Sequence, residues 1–249
     1  MNINDILIKI EYTKERSAGE LFEFVKQKEK ELSIWPGNPS GTKTLREMRY
    51  RELGKGLPDK FAHELTPFAY YANTYYSNKP EARFKPCCDS EQHDGIIIDN
   101  GNKVFVEITN AIDGKIWRLQ KELLIENGHS PWEHNIHGVK GNKTKRNRLT
   151  SDIKTSKDAL PYSVIIDKIK KLVEETVLEK CKKSMEQNLP YGQSKTILIV
   201  TFDDTVVRPR TSKKDWSDFV DFKRNEVNSM KHNFIKIILF GWTSKEFIV

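Results

Sequence analysis

The chain has 249 residues, 37% of them hydrophobic and 31% charged, with a formal net charge of +7. That balance excludes a disordered chain, and the length allows a substantial core without disulfides. No apolar run approaches the ~18 residues of a membrane span, and the start MNINDILIKIEYTKE is charged too early for a secretory signal, so a cytoplasmic protein without membrane association is expected.

In chain order, residues 18–31, AGELFEFVKQKEKE, read as a helix with Leu21, Phe22 and Val25 on one stripe. WPGNPSGT at 35–42 is a breaker-rich connection, and helical stretches are expected over about 43–54 and 59–77. The second is aromatic, with Phe61, Phe68, Tyr70, Tyr71, Tyr75 and Tyr76 as core candidates. From 82 the period changes to that of strands. ARFKPCC is a short one, and IIID and KVFVEIT flank an Asn-Gly pair, the signal of a tight hairpin turn.

Residues 111–126 read as a helix and 130–152 as irregular and polar. The strongest helical period covers 161–187, with Pro161 near its start and Ile165, Ile169, Leu172, Val173 and Val177 on one face. TILIVTF at 196–202 suits a strand buried on both faces. DWSDFVDFKRNEVNSM then reads as a helix, and FIKIILFGW at 234–242 as a last strand. The expectation is a single α/β domain over 1–249, a central mixed sheet flanked by helices. A helical insertion at about 43–77 and a basic loop at about 130–157 elaborate it.

Cys87, Cys88 and Cys181 are an odd set with no CxxC spacing, which points to buried free thiols in a reducing compartment rather than a disulfide or zinc framework. His129, His134 and His137 lie on the irregular stretch without diagnostic ligand spacing; His93 beside Asp94 is either a proton carrier or a strand-entry residue. There is no phosphate-binding GxxxxGK[ST] loop and no GxSxG elbow.

The chemistry concentrates in HDGIIIDNGNKVFVEIT, residues 93–109. Along VFVEIT, Phe105, Glu107 and Thr109 share one face, and Val104, Val106 and Ile108 the other. A carboxylate in so apolar a strand is costly unless it is paired or bound to a cation. Asp94 on the neighbouring strand can converge with Glu107 into an oxygen-ligand site suited to Mg²⁺ or Mn²⁺. Asp89 and Glu91 are alternatives to Asp94, which begins the apolar strand directly.

Basic charge is localised. GVKGNKTKRNR at 138–148 carries Lys140, Lys143, Lys145, Arg146 and Arg148 and no acid, and VRPRTSKKD at 207–215 carries Arg208 and Arg210. Each reads either as a solvated loop or as a phosphate-contacting surface, and the second reading makes nucleic acid the expected partner.

Asp94 in HDGIII and Glu107 in VFVEIT, with the order of elements from 18–31 and from 82 to about 202, resemble the PD-(D/E)xK nuclease superfamily. The resemblance covers about half the chain. It implies a restriction-endonuclease-like core with an N-terminal helical elaboration, and Asp94 and Glu107 as ligands of Mg²⁺ or Mn²⁺. It also implies a hydrolase cutting phosphodiester bonds as a restriction or defence-type endonuclease, on DNA ahead of RNA, with a homodimer as a candidate assembly. The family's further helical acid falls to Glu23 or Glu20. One departure is clear: the motif lysine belongs two positions after the Glu, where this chain has Thr109. Thr109 can position water, and a relocated lysine is sought at Lys115 or Lys168. Otherwise the site is degenerate, and the chain binds nucleic acid without cutting it or is a protein-interaction domain.

Overall fold

The computed structural model describes residues 8–33, 60–88, 92–127, 129–131, 135–142, 149–186, 195–205, 207 and 213–249. The helix expected at 43–54 lies outside them. The chain is α/β. A six-stranded mixed sheet runs β1 (Arg83–Pro86), β2 (Gly95–Asp99), β3 (Asn102–Asn110), β6 (Thr196–Phe202), β7 (Lys236–Gly241) and β8 (Phe247–Ile248) in spatial order. β1, β2 and β3 form an antiparallel meander, β3, β6 and β7 are parallel neighbours, and β8 returns antiparallel on β7.

The hairpin turn follows from its two residues. Asn100 and Gly101 have φ of 50° and 78°, the doubly left-handed pair of a type I′ turn whose twist matches the strands it joins. This sets the register from Asp99↔Asn102 to Gly95↔Val106. TILIVTF is buried at all seven positions, because helices cover both faces of the sheet there.

Alternation along β6 divides the core. Ile197 and Ile199 point to one side, with Val106 and Ile108 of β3 and the helices α2 (Ala18–Ser33) and α3 (Thr66–Tyr76). Leu198, Val200 and Phe202 point to the other, toward α5 (Tyr162–Met185) and α6 (Lys213–Phe222). α3 is entered through a π-helical turn, Phe61–Leu65. Pro67 in the first turn of α3 lacks an N–H, and its ring crowds the carbonyl four residues back. The widened turn relieves that crowding, and Thr66 Oγ1 donates to Phe61 O at 3.0 Å. Phe61, Leu65, Phe68, Ala69, Tyr71 and Ala72 are all buried. The stretch expected as part of an appended helical insertion is therefore a wall of the core.

Two further elements differ from expectation. The stretch read as irregular holds a second sheet, β4 (Ile136–Val139) paired antiparallel with β5 (Ile153–Thr155). Ile136 and Ile153 pack with Leu119 and Leu123 of α4 (Gly114–Asn127). Strands this short, one of them with Gly138 at φ 103°, leave no run long enough to show a period of two. A one-turn helix, α1 (Lys9–Tyr12), also precedes α2. No helix among the described residues is long and apolar enough to cross a membrane.

Gly95 opens β2 because a side chain would not fit: a Cβ there would lie 2.7 Å from the Phe68 ring. Gly95→Ala is expected to lower stability by about 1–3 kcal/mol through overpacking. The check is the urea midpoint at constant m-value, and Phe68→Leu should recover part of the loss.

Candidate functional site

Asp94 is held by its backbone first. Its N–H donates to Val106 O at 3.0 Å, and its carbonyl accepts from Cys87 N at 2.9 Å. These bonds extend the β1–β2–β3 ladder by one residue and set Asp94 opposite Glu107. The side chain is then locked by Ile108 N–H, which donates to Oδ2 at 2.7 Å.

Glu107 is 8% exposed and pairs in register with Leu198, while Thr109 pairs with Val200. Both therefore stand on the side of the sheet covered by α5. From α5, Lys180 reaches across: its Nζ donates to Glu107 Oε1 at 2.5 Å, with the two side chains only 18% and 10% exposed. A charge-assisted bond at this depth is strong, because little water screens it. A third acid, Glu64, comes from the π turn, with Lys60 one turn away at 3.4 Å.

Electrostatics tie these groups together. Burial, then the negative charges of Glu107 and Glu64, push the Asp94 carboxyl up to about 7, against the opposing pull of Ile108 N–H and the Lys180 ammonium. The Tyr12 phenol, almost fully buried, is raised well above its ordinary value by burial and by Glu64, Asp94 and the thiols of Cys88 and Cys87. Among the described residues no three His, Cys, Asp or Glu side chains converge closely enough to form a complete metal cage. Magnesium does not require one, since it keeps several waters and binds through one or two carboxylates. Asp94 and Glu107 offer oxygen donors only, the kind that a hard cation takes.

Several sequence candidates stand elsewhere. Lys115 is exposed at the start of α4, where its backbone N–H donates to Asp113 Oδ1 at 2.9 Å, and Lys168 is exposed on α5. The lysine beside the carboxylates is instead Lys180. Glu23 is exposed on α2, and Glu20 closes that helix's N-terminus by accepting from Ser17 N at 2.8 Å and Ser17 Oγ at 2.9 Å. The helical acid whose charge reaches Asp94 is Glu64. His93 stacks on Phe105 at 4.0 Å between ring centres, a packing role at the strand entry. His137 bonds Ser156 Oγ at 3.0 Å, and His129 bonds Asn127 O at 3.0 Å. The three cysteines are buried and form no disulfide.

Lys140 is exposed, with its Nζ 3.4 Å from Ser151 O. Lys143, Lys145, Arg146, Arg148, Arg208 and Arg210 lie outside the described residues, as do Asp89, Glu91 and His134.

Lys180 and Glu64 each left a trace in the sequence. Lys180 continues the buried row Val173, Val177 at helical spacing, and Glu64 falls between Phe61 and Phe68 on the inward face of its helix. A lone charge on an apolar stripe is the signal in both cases.

Comparison with protein-family models, with curated proteins and with solved structures finds no match.

Proposed function

We propose that the chain is a metal-dependent nuclease of the PD-(D/E)xK type, with its lysine moved from the strand to a helix. The observation that carries this reading is the Lys180 ammonium at 2.5 Å from Glu107. It supplies, from α5, the positive charge missing at Thr109. The meander β1–β2–β3 followed by helices and by β6 parallel to β3 supports the same reading.

In this reading Asp94 and Glu107 hold Mg²⁺ or Mn²⁺, with Glu64 beside them. When bound, the cation supplies charge stabilisation on the phosphate and an activated water. The remaining work belongs to the chain. Ile108 N–H keeps Asp94 Oδ2 fixed, so the carboxylate does not reorient during reaction. Lys180 stabilises the charge that develops on the phosphate, and Thr109, on the same face as Glu107, orients water through its hydroxyl. Nucleic acid, DNA ahead of RNA, is the substrate, with its phosphates drawn by the basic segments at 138–148 and 207–215. Three buried cysteines without a disulfide fit a cytoplasmic setting.

A second reading, nucleic-acid binding without cleavage, rests on the same ion pair: Lys180 already neutralises Glu107, as it would in a site that has lost its metal. The test is cleavage of plasmid DNA and single-stranded RNA with Mg²⁺ or Mn²⁺ against an EDTA control. Metal-dependent cleavage is the expected result; cleavage undiminished by EDTA would falsify the mechanism, and tight binding without cleavage would favour the second reading.

The partner class has its own check. Lys143→Ala, Lys145→Ala and Arg146→Ala together are expected to weaken binding about equally across sequences and to flatten its salt dependence, because phosphate contacts carry no base information. An unaltered slope of log Kd against log salt would remove this segment from the interface.

A further inference from the structure

The positive charge of the chain is not spread evenly. Residues 135–157 hold seven lysines and arginines and one acid, Asp152, and so account for +6 of the overall +7. That acid is engaged locally: its Oδ2 accepts from Leu149 N at 2.9 Å. The stretch is built on a folded hairpin. β4 and β5 pair, and Ile136 and Ile153 seat them on Leu119 and Leu123 of α4.

Between this hairpin and the end of α4 lies a cleft of about 570 Å³, room for a nucleotide-sized ligand. Buried Leu123 and Ile153 give it an apolar floor. Lys140 and Lys154, both exposed, line it as well, with Thr150 and Ser151 from the 3₁₀ turn Thr150–Asp152. No carboxylate is among its described lining residues. Lys140 Nζ lies 3.4 Å from Ser151 O, a long bond that uses one of its three N–H groups and keeps the ammonium at the cleft. The segment 143–148, with Lys143, Lys145, Arg146 and Arg148, leaves the described chain after Asn142 and rejoins it at Leu149, close in sequence to Lys140 and Thr150.

This lining matches the parts of a nucleotide. Two ammoniums and two hydroxyls suit a phosphate, to which all four can donate. The apolar floor suits the flat face of a base. Asn127 stands at the C-terminus of α4, an end that disfavours an anion, so its amide is matched to the edge of the base and not to the phosphate. A base reaches such a floor only when it is out of the duplex stack, so the strand is single at this point.

We propose that the cleft between β4–β5 and α4 binds one nucleotide of a single-stranded segment of nucleic acid, with its phosphate held by Lys140 and Lys154 and its base laid on Leu123 and Ile153. This rests on the nucleic-acid partner proposed above and not on the metal at Asp94 and Glu107, which stand at the six-stranded sheet.

The experiment is Lys140→Ala with Lys154→Ala in the full chain. The comparison is Lys171→Ala with Lys182→Ala, which removes the same charge from exposed positions on α5. Calorimetry in EDTA reads the binding of a deoxynucleoside monophosphate, its nucleoside, inorganic phosphate and a single-stranded oligonucleotide, the last over a range of salt. Wild type is expected to bind the monophosphate at least about tenfold more tightly than the nucleoside or phosphate alone, because each of those makes only part of the contacts. The cleft variant is expected to lose the monophosphate. Its slope of log K against log salt for the oligonucleotide should flatten by about 1.4, at roughly 0.7 for each phosphate contact. The α5 variant should match wild type in both. Monophosphate affinity within twofold of wild type in the cleft variant, or an equal loss in the α5 variant, would overturn the cleft. Plasmid cleavage with Mg²⁺ is scored alongside. Cleavage by a wild type that binds no monophosphate would remove the cleft and leave the acidic site standing; monophosphate binding lost only in the cleft variant, with no cleavage by wild type, would remove the nuclease reading and leave the cleft.

Discussion

Lys180→Met is expected to lower metal-dependent cleavage about 100-fold, and adding Thr109→Lys to that variant is expected to recover at least part of the loss. Methionine keeps the length of the lysine stem and removes its charge. Loss of one preorganised group that stabilises transition-state charge costs roughly 10²–10³ in rate. Thr109 lies on the α5 side of the sheet, two positions after Glu107 on the same strand. A lysine introduced there projects toward the space that Lys180 Nζ fills in the wild type. In the double variant the new ammonium replaces the lost one; in Thr109→Lys alone two ammoniums compete for Glu107, and activity should drop. Glu107→Gln should abolish cleavage in every background, because the amide keeps the volume but gives a hard cation no anion. Lys180→Met should also destabilise the fold, since it leaves a buried carboxylate without its partner. Full activity in Lys180→Met would reduce the ion pair to a structural role. Wild-type-like Mn²⁺ binding by Glu107→Gln would place the cation elsewhere.

The second large effect concerns Asp94 and pH. Its carboxyl titrates near 7 in the folded chain against an ordinary value of 3.8, so folding favours the protonated form. The contribution to stability is therefore fully present below about pH 4 and is lost as pH rises toward and through 7. A difference of that size is worth at most on the order of 4 kcal/mol. In EDTA, Asp94→Asn is expected to match wild type near pH 4 and to exceed its stability at pH 8. The asparagine oxygen still accepts the Ile108 N–H, but no charge has to be buried. Mn²⁺ should reverse the order at pH 8, stabilising wild type and leaving the variant unchanged. Urea denaturation at pH 4, 6 and 8, with and without metal, reads all of this. Parallel pH curves for the two proteins in EDTA would remove the charge cost assigned to Asp94.

Where one local pattern was enough, the sequence spoke clearly. Asn100-Gly101 admits the left-handed pair of a type I′ turn, and that turn sets Gly95 against Val106 and Asp94 against Glu107. Period-2 alternation put Glu107 and Thr109 on one face, and the unbroken TILIVTF run marked a strand covered on both sides. Val173 and Val177 at helical spacing marked the buried side of α5. These features depend on φ/ψ preference and on short-range periodicity, which neighbouring residues carry by themselves.

The partners of the acids were decided by tertiary structure. Lys180 and Glu107 are 73 positions apart, and nothing in either local pattern says that this turn of α5, rather than the turn holding Lys168, crosses β3 at the carboxylate. Glu64 acts on Asp94 from the π turn before α3, an element whose place against the sheet is set by packing and not by its own local pattern. Periodicity states which face a side chain occupies. The helix crossing that brings two faces together is set by how whole surfaces pack, and packing is a property of residues far apart in the chain.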